Sequence, residues 1–224
     1  MSAATTTDLD FLIDTLQAEY GRQTRYSTKN AMDQLIATIL SQRTTYADER
    51  TAFNKLIDTF GDWAGVGEAS VEAIEACIQT SRYPEVKAPR IKAIINHIIE
   101  EYGGANLDFL ADMPVEEARD LLMALPGVGH KTTTFVLLFT LRKPVLPVDT
   151  HVHRVSTRYG LIPMKMTQAK AHTALLEMLP QTADDLLNFH KLLFKHGQRV
   201  CTYSHPKCHA CVVAERCDYR REKS

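Results

Sequence analysis

The chain has 224 residues, of which 45% are hydrophobic and 24% charged, and its formal net charge at pH 7 is −1. This length allows one large domain or two small ones with a hydrophobic core. The near-neutral charge excludes nucleic-acid binding through an overall basic charge, so nucleic-acid binding would need a local basic face. The first residues have no basic segment and carry acidic side chains, unlike a signal peptide. No apolar run approaches the roughly 18 residues that span a bilayer. We therefore expect a soluble, intracellular, cytoplasmic protein.

Apolar residues recur at the spacing of amphipathic helices along almost the whole chain, and no segment shows the strict alternation of a strand. Thr7 or Asp8 is expected to cap the first helix, Pro89 to occupy the first turn of a middle helix and Gly197 to follow the last one. We therefore predict an all-α fold of about ten helices. One of them contains Lys131, and the others span residues 8–20, 32–40, 47–60, 70–78, 89–102, 114–124, 151–159, 167–179 and 184–196.

A glycine-punctuated turn precedes the helix that contains Lys131, and it reads Leu125-Pro126-Gly127-Val128-Gly129-His130-Lys131. Glycines adopt backbone conformations that other residues resist, and they let a phosphate approach the free amides at the start of the next helix, where the helix dipole favours an anion. We interpret the turn as a helix-hairpin-helix that binds the DNA backbone without sequence preference. Leu125 and Val128 would pack the two helices together, and carbonyl groups of the turn can hold a monovalent cation. The alternative is a tight turn between helices that binds nothing.

Lys131 and Asp149 are the candidate catalytic residues. Lys131 falls in the first turn of its predicted helix, and Asp149 follows Pro147-Val148, where it can cap the next helix. A lysine amine can attack carbon, and a carboxylate can accept its proton or stabilise positive charge that develops on a sugar. Each residue taken singly also fits a structural role, as a solvated lysine and a capping aspartate. Their occurrence together beside the hairpin favours catalysis.

Four of the five cysteines are concentrated near the end of the chain, with six, two and five residues between successive members. Four thiolates in so short a loop can bind one tetrahedral zinc ion or one iron–sulfur cluster, and His205 or His209 can substitute at a zinc site. Disulfides are the least favoured alternative in a reducing compartment. Cys77 stands alone and is expected to be a small buried hydrophobic residue. The cluster comprises Cys201, Cys208, Cys211 and Cys217.

The hairpin, the segment Val148-Asp149-Thr150-His151 and the four cysteines occur in an order that resembles the endonuclease III family, the iron–sulfur branch of the helix-hairpin-helix DNA glycosylases. The resemblance extends over residues 32–217. It implies a two-domain fold, with a six-helix barrel domain at residues 30–143 and a cluster domain formed by residues 1–29 and 144–224. It also implies that the four cysteines hold a [4Fe–4S] cluster.

The resemblance assigns roles to individual residues. Lys131 would attack C1′ of a damaged nucleotide that is flipped out of the duplex, and Asp149 would assist loss of the base. The implied protein is a monomeric base-excision DNA glycosylase with AP lyase activity. Its implied partner is double-stranded DNA that contains abasic sites or damaged bases, with oxidised pyrimidines such as thymine glycol as substrates. The residues expected to contact DNA are Gln42, Arg43, Tyr83, Leu125, Gly127, Val128, Gly129, His130 and Lys207.

Three segments depart from the usual family pattern. Arg43 follows Gln42 where a glutamine fills the gap left by the flipped base, so either side chain is a candidate filler, and Tyr46 stands where an aspartate is common. Tyr83 would insert where a leucine is usual, and Lys207 is the only lysine or arginine between the first two cysteines of the cluster. These differences keep two other functions open. One is a glycosylase for alkylated or mismatched bases with little or no lyase activity, and the other is a DNA lesion-binding module without catalysis.

Overall fold

The structure is a computed structural model that describes the backbone of residues 6–222 and the side chains of residues 8–222. All regular secondary structure within residues 6–222 is helical, which confirms the predicted all-α fold. The α-helices of this part of the chain are α1 Thr6–Tyr20, α2 Ala31–Leu40, α3 Tyr46–Phe60, α4 Trp63–Glu68, α5 Val71–Cys77, α6 Pro84–Tyr102, α7 Val115–Ala124, α8 His130–Phe139, α9 Thr150–Tyr159, α10 Gln168–Leu176, α11 Ala183–Arg199 and α12 Asp218–Arg221. Three 3-10 helices lie at Asp108–Ala111, Cys208–Ala210 and Ala214–Arg216.

The chain divides into two compact units. One consists of Ser27–Lys143, and the other combines the described parts of Met1–Tyr26 and Pro144–Ser224. In the first unit α2 is the central helix, because eight of its ten residues are buried and it packs against α3, α6 and α8. In the second unit α11 packs against both α1 and α9. No helix within residues 6–222 has the length and apolar character that crossing a bilayer requires.

Local capping signals account for most helix boundaries. Asn30, Thr45 and Ser70 each accept a hydrogen bond from the backbone N–H three residues ahead, as N-caps do. The prediction that Thr7 or Asp8 caps the first helix is wrong, because α1 already includes Thr6. Helix α4 was not predicted, and the side chain of Asp62 caps it. Cys77 is buried, as expected.

Two predicted boundaries are wrong because proline and glycine occur inside helices here. Helix α6 begins at Pro84, so Pro89 lies inside the helix instead of in its first turn. Pro84 takes the N-terminal position, where the missing N–H of a proline costs nothing. Helix α11 continues through Gly197 to Arg199. A Cβ atom at Gly197 would lie 2.9 Å from Cβ of His151, so the glycine lets α9 approach α11 closely.

Candidate functional site

The predicted hairpin joins α7 to α8. Leu125 and Val128 are buried, and the Val128 N–H donates to the Leu125 carbonyl at 3.1 Å. Gly127 has a φ of 68°, in the left-handed region that glycine tolerates. Gly129 precedes α8 with a φ of −109°, a conformation open to any residue, and provides no side-chain cap. The first N–H groups of α8 therefore have no side-chain acceptor at the N-cap, and such free amides favour an anion.

Arg90 of α6 lies directly against this turn, and no feature of the sequence indicated it. A Cβ atom at Gly127 would be 2.4 Å from Nε of Arg90, which is closer than two such atoms can approach. The guanidinium group therefore packs on the turn at its glycine. This arrangement adds a positive charge to a turn that already presents free N–H groups.

The two glycines of the turn provide a matched stability test. We expect Gly127→Ala to lower the free energy of unfolding by about 1–2 kcal/mol, because a side chain at left-handed φ is strained. The side chain of Arg90 must also move to make room for the added Cβ atom. Gly129→Ala should change the free energy of unfolding by less than about 0.5 kcal/mol, because the poorer N-cap and the restricted unfolded chain act in opposite directions. Urea unfolding of both variants measures the difference, and equal losses would contradict it.

Lys131 is exposed in the first turn of α8, next to His130, the exposed first residue of that helix. Its ammonium nitrogen lies 5.5 Å from the centroid of the Phe135 ring. Its backbone carbonyl accepts from Oγ1 of Thr134 at 3.1 Å, but the ammonium group has no hydrogen-bonding or ion-pairing partner among the described residues of its own unit. The amine is therefore accessible and is not needed to hold the fold together.

Asp149 is the N-cap of α9, as predicted, and is 4% exposed. Its Oδ1 accepts the backbone N–H groups of His151 and Val152, each at 2.8 Å. Both capping bonds use the same oxygen, so the cap does not engage Oδ2. The helix N-terminus therefore fixes the carboxylate in place.

Three side chains hold the extended backbone that leads to Asp149. The carbonyl of Leu146 accepts from Nδ1 of His172 and the carbonyl of Pro147 accepts from Nδ1 of His190, each at 2.8 Å. The next carbonyl, that of Val148, accepts from the amide nitrogen of Gln168. Both histidines are buried, so these bonds are shielded from water. Every carbonyl of residues 146–148 thus has a side-chain donor, which fixes the direction in which the chain enters α9.

Two loops of the first unit, residues 41–45 and 78–83, contain the other predicted DNA contacts. Arg43 and Tyr83 both adopt left-handed backbone conformations, with φ of 56° and 61°, and both side chains are exposed. Gln42 is partly exposed. The Arg82 N–H donates to Oγ1 of Thr44 at 3.0 Å, so the structure brings the two loops together. Backbone strain of this kind is concentrated at functional sites.

Lys87 of α6 lies beneath these loops and was missed in the sequence. Its ammonium group is within 2.7–3.2 Å of four oxygens, which belong to Leu40, Gln42, Thr44 and Ser81. The side chain is buried, which lowers the pKa of Lys87 to about 8, with a smaller contribution from the charge of Arg90. A lysine in the first turn of an amphipathic helix usually reaches solvent, so no local pattern indicated these contacts.

The four clustered cysteines line one partly open cavity with an empty volume of about 400 Å³. All are free thiols, so the disulfide alternative finds no support. Burial raises the pKa of Cys211 to about 11, the N–H of Val213 lowers it, and the neighbouring cysteines raise it further. Backbone N–H groups also point at Cys217. Within residues 6–222, no three histidine, cysteine or acidic side chains are arranged to hold a single metal ion.

Helices α9 and α11 hold the cysteine loop in place. Arg158 donates to the carbonyls of Thr202 and Tyr203, and its own carbonyl lies 3.3 Å from Sγ of Cys217. His196 lies 3.5 Å from Sγ of Cys211 through its Nε2. Lys207, the remaining predicted DNA contact, is exposed in this loop. The cysteines are therefore fixed by the rest of their own unit.

Comparisons of the sequence and of the structure with known proteins agree with each other. The family model for "HhH-GPD superfamily base excision DNA repair protein" matches residues 36–181. Endonuclease III of Thermotoga maritima is 34% identical over 189 residues, which cover 84% of this chain and 83% of that protein. Endonuclease III of Sulfolobus acidocaldarius is 32% identical over 196 residues, covering 86% and 83%. A trapped endonuclease III–DNA covalent intermediate in an estranged-adenine complex has the same fold, with a TM-score of 0.84 at 24% identity over 98% of this chain and 99% of that one.

Proposed function

The chain belongs to the HhH-GPD superfamily of base excision DNA repair proteins, and from this membership we propose that it is a DNA glycosylase with AP lyase activity. It removes damaged pyrimidines, chiefly oxidised ones, from double-stranded DNA and then nicks the strand. One observation carries the lyase part of this proposal. Lys131 is an exposed amine with no ionic partner among the described residues of its unit, in the first turn after the hairpin. A lyase needs such a nucleophile.

In the proposed reaction, the neutral amine of Lys131 attacks C1′ of the damaged nucleotide. A bond forms between the lysine nitrogen and C1′, the N-glycosidic bond breaks, and the departing base takes up a proton. Opening of the sugar ring gives a protonated Schiff base. Loss of a proton from C2′ then expels the 3′ phosphate by β-elimination, which breaks the strand. The covalent bond divides one difficult step into easier ones.

Asp149 is proposed to assist loss of the base. Its Oδ1 is occupied as the N-cap of α9, whereas the cap leaves Oδ2 unengaged. That oxygen can accept a proton or stabilise positive charge that develops on the sugar. The hydrogen bonds to the carbonyls of residues 146–148 support this role, because a carboxylate is effective only where it is held in a fixed orientation.

The hairpin is proposed to bind a phosphate of the DNA backbone. Free N–H groups at the start of α8, the helix dipole and the guanidinium group of Arg90 all favour an anion at the turn. Carbonyl groups of the turn can also hold a monovalent cation that bridges to the phosphate. These contacts are local, which agrees with a net charge of only −1 for the whole chain.

The cysteine cavity is proposed to hold a [4Fe–4S] cluster. Cysteine thiolates are the usual ligands of such clusters, and N–H groups directed at the sulfurs stabilise them. Four thiols around one cavity fit this group. The cluster supplies cross-linking of the loop and electron-transfer capacity when bound. The unit that contains it is proposed as the cluster domain, and Ser27–Lys143 as the barrel domain.

Cluster binding is tested with two cysteine variants. We expect the purified protein to be yellow-brown and to contain about four iron atoms per chain. Cys208→Ser should lose most of the colour and iron, because it removes one of the four ligands. Cys77→Ser, which changes the cysteine outside the cavity, should keep both. Metal analysis and visible absorption measure the outcome, and a colourless protein with one zinc ion per chain would contradict the assignment.

The function is tested with duplexes that each contain one lesion, in the presence and absence of borohydride. We expect release of thymine glycol, a strand nick and a trapped covalent adduct. Exposed Arg43 and Tyr83, on strained backbone, replace the family's usual residues and favour a second candidate, a glycosylase for alkylated or mismatched bases. Base release without nicking or adduct would support that candidate. Tight lesion binding with no turnover on any duplex would exclude both and indicate a binding module.

A further inference from the structure

We propose that Lys87 is a positioning residue that joins loop 41–45 and loop 78–83 into one rigid element, and that this element determines which base is extruded for excision. The inference rests on the proposed function and goes beyond it, because it assigns lesion selection to a buried side chain that does not touch DNA. Arg43 and Tyr83 are the side chains that this element would present to the duplex.

The contacts of Lys87 reach both loops at once. Its ammonium nitrogen lies 2.9 Å from the Gln42 carbonyl and 3.2 Å from Oγ1 of Thr44 in the first loop. It lies 2.7 Å from Oγ of Ser81 in the second loop. It also lies 2.8 Å from the carbonyl of Leu40, the last residue of α2. One cation therefore connects the end of a helix with two separate loops.

Thr44 and Ser81 complete the connection between the loops. Oγ1 of Thr44 accepts the Arg82 N–H at 3.0 Å, next to Tyr83. Oγ of Ser81 donates to the Leu40 carbonyl at 2.9 Å and is 1% exposed. Each loop is thus bonded to Lys87 and to the other loop. Movement of one loop would break hydrogen bonds of the other.

The backbone of both loops needs such support. Arg43 and Tyr83 lie at φ of 56° and 61°, where residues other than glycine are strained and persist only if their surroundings hold them. Arg43 follows Gln42, whose carbonyl accepts from Lys87, and Tyr83 follows Arg82, whose N–H donates to Thr44. The hydrogen bonds around Lys87 therefore fix the two exposed side chains in one relative arrangement.

A lysine is rarely found at a buried position whose role is only to fill space. Lys87 is 3% exposed, and the four oxygens that its ammonium group contacts are neutral, with no carboxylate among them. Burial of an ammonium group is unfavourable unless its hydrogen bonds are satisfied, and an apolar residue could fill the same space. The C-terminus of α2 favours the positive charge. What a lysine provides here, and an apolar residue would not, is a common donor to both loops.

The test compares two substrates and three main variants. Lys87→Met removes the common donor. Thr44→Val removes Oγ1, which accepts from both the Arg82 N–H and Lys87, but leaves the lysine itself in place. Lys92→Met is the matched control, since Lys92 is on the same helix and donates to the carbonyls of Gly67 and Ala69, away from both loops. One duplex contains thymine glycol, and the other contains a preformed abasic site, which has no base to select.

We expect Lys87→Met and Thr44→Val to lower kcat/KM for excision of thymine glycol by at least about tenfold, because small displacements of positioning groups have large kinetic effects. Cleavage at the abasic site should stay within about threefold, since that step needs no base selection. Lys92→Met should leave both reactions within the same limit, and Thr44→Ser should restore excision. If Lys87→Met does not fold, Thr44→Val decides the outcome.

Equal losses on the two substrates, or none, would overturn the role of Lys87. Failure of the proposed function looks different, because the unaltered protein would then act on neither duplex. In that case, fluorescence of 2-aminopurine placed beside an abasic analogue reports base unstacking without chemistry. The unaltered protein and Lys92→Met should raise the fluorescence, whereas Lys87→Met and Thr44→Val should not. The same rise for all four proteins would contradict the inference.

Discussion

Lys131→Gln is expected to abolish the borohydride-trapped adduct and to slow strand cleavage by about 10⁴-fold or more, because an amide nitrogen cannot replace the amine nucleophile. The fold should be almost unaffected, with a change in unfolding free energy of less than about 0.5 kcal/mol. The exposed position of Lys131 and the absence of an ionic partner within the described part of its unit support this expectation. Single-turnover cleavage of a thymine glycol duplex, followed on denaturing gels, measures the rate.

Lys170→Gln is the matched control for this substitution. Lys170 is also exposed and also lies in the first turn of a helix, α10, so the substitution removes the same charge from a similar helix position. Its variant should form the adduct and cleave at the rate of the unaltered protein. A trapped adduct that survives in Lys131→Gln would mean that another amine performs the reaction, and the role of Lys131 would have to be abandoned.

Asp149→Asn and Asp149→Ala should separate the catalytic role of Asp149 from its structural one. Asparagine keeps the oxygen that caps α9, so its effect on stability should be less than about 0.5 kcal/mol, whereas alanine should cost about 1–2 kcal/mol. Both variants lose the carboxylate. We therefore expect both to excise thymine glycol about 10²- to 10³-fold more slowly, the usual effect of losing a proton acceptor or charge-stabilising group.

Asp62 provides the comparison, because it caps α4 in the same way, with Oδ1 accepting the Gly65 N–H at 2.8 Å. Asp62→Ala should lower stability without slowing excision at temperatures where the protein remains folded. Urea unfolding measures the stability of all the variants, and single-turnover experiments measure their rates of excision. Full activity in Asp149→Asn would show that Asp149 is only a helix cap.

Features that depend on neighbouring residues could be predicted from the sequence. The cap at Asp149 and the predicted helix ends at residues 20, 60 and 159, each followed by a glycine of positive φ, involve hydrogen bonds or dihedral angles within a few residues. Pro89 and Gly197 show the limit of such signals. Both residue types usually mark helix ends, but Pro89 lies inside α6 and Gly197 lies inside α11. At Gly197 the glycine lets α9 approach α11, and a local sequence pattern does not reveal such packing.

The supports of the candidate site could not be predicted, because they join residues that are far apart in the chain. Lys87 contacts residues up to 47 positions away, and His190 reaches a carbonyl 43 positions away. Single-residue patterns do not distinguish such a lysine from a solvated one, or such a histidine from an ordinary core residue. Local patterns nominated Lys131 and Asp149 as candidate catalytic residues and the resemblance to a family assigned their expected roles, whereas their supporting contacts came only from the folded chain.

The pairing of α1 with α11 has a consequence for the order in which the protein folds during synthesis. The hydroxyl of Tyr20 lies 3.1 Å from Nδ1 of His196, a residue 176 positions later. At about 5–20 residues per second, α1 waits roughly 9–35 s for the helix that covers it. The whole of Ser27–Lys143 emerges in that interval. The unit with Lys131 can therefore fold first, while the apolar face of α1 stays uncovered until synthesis passes α11.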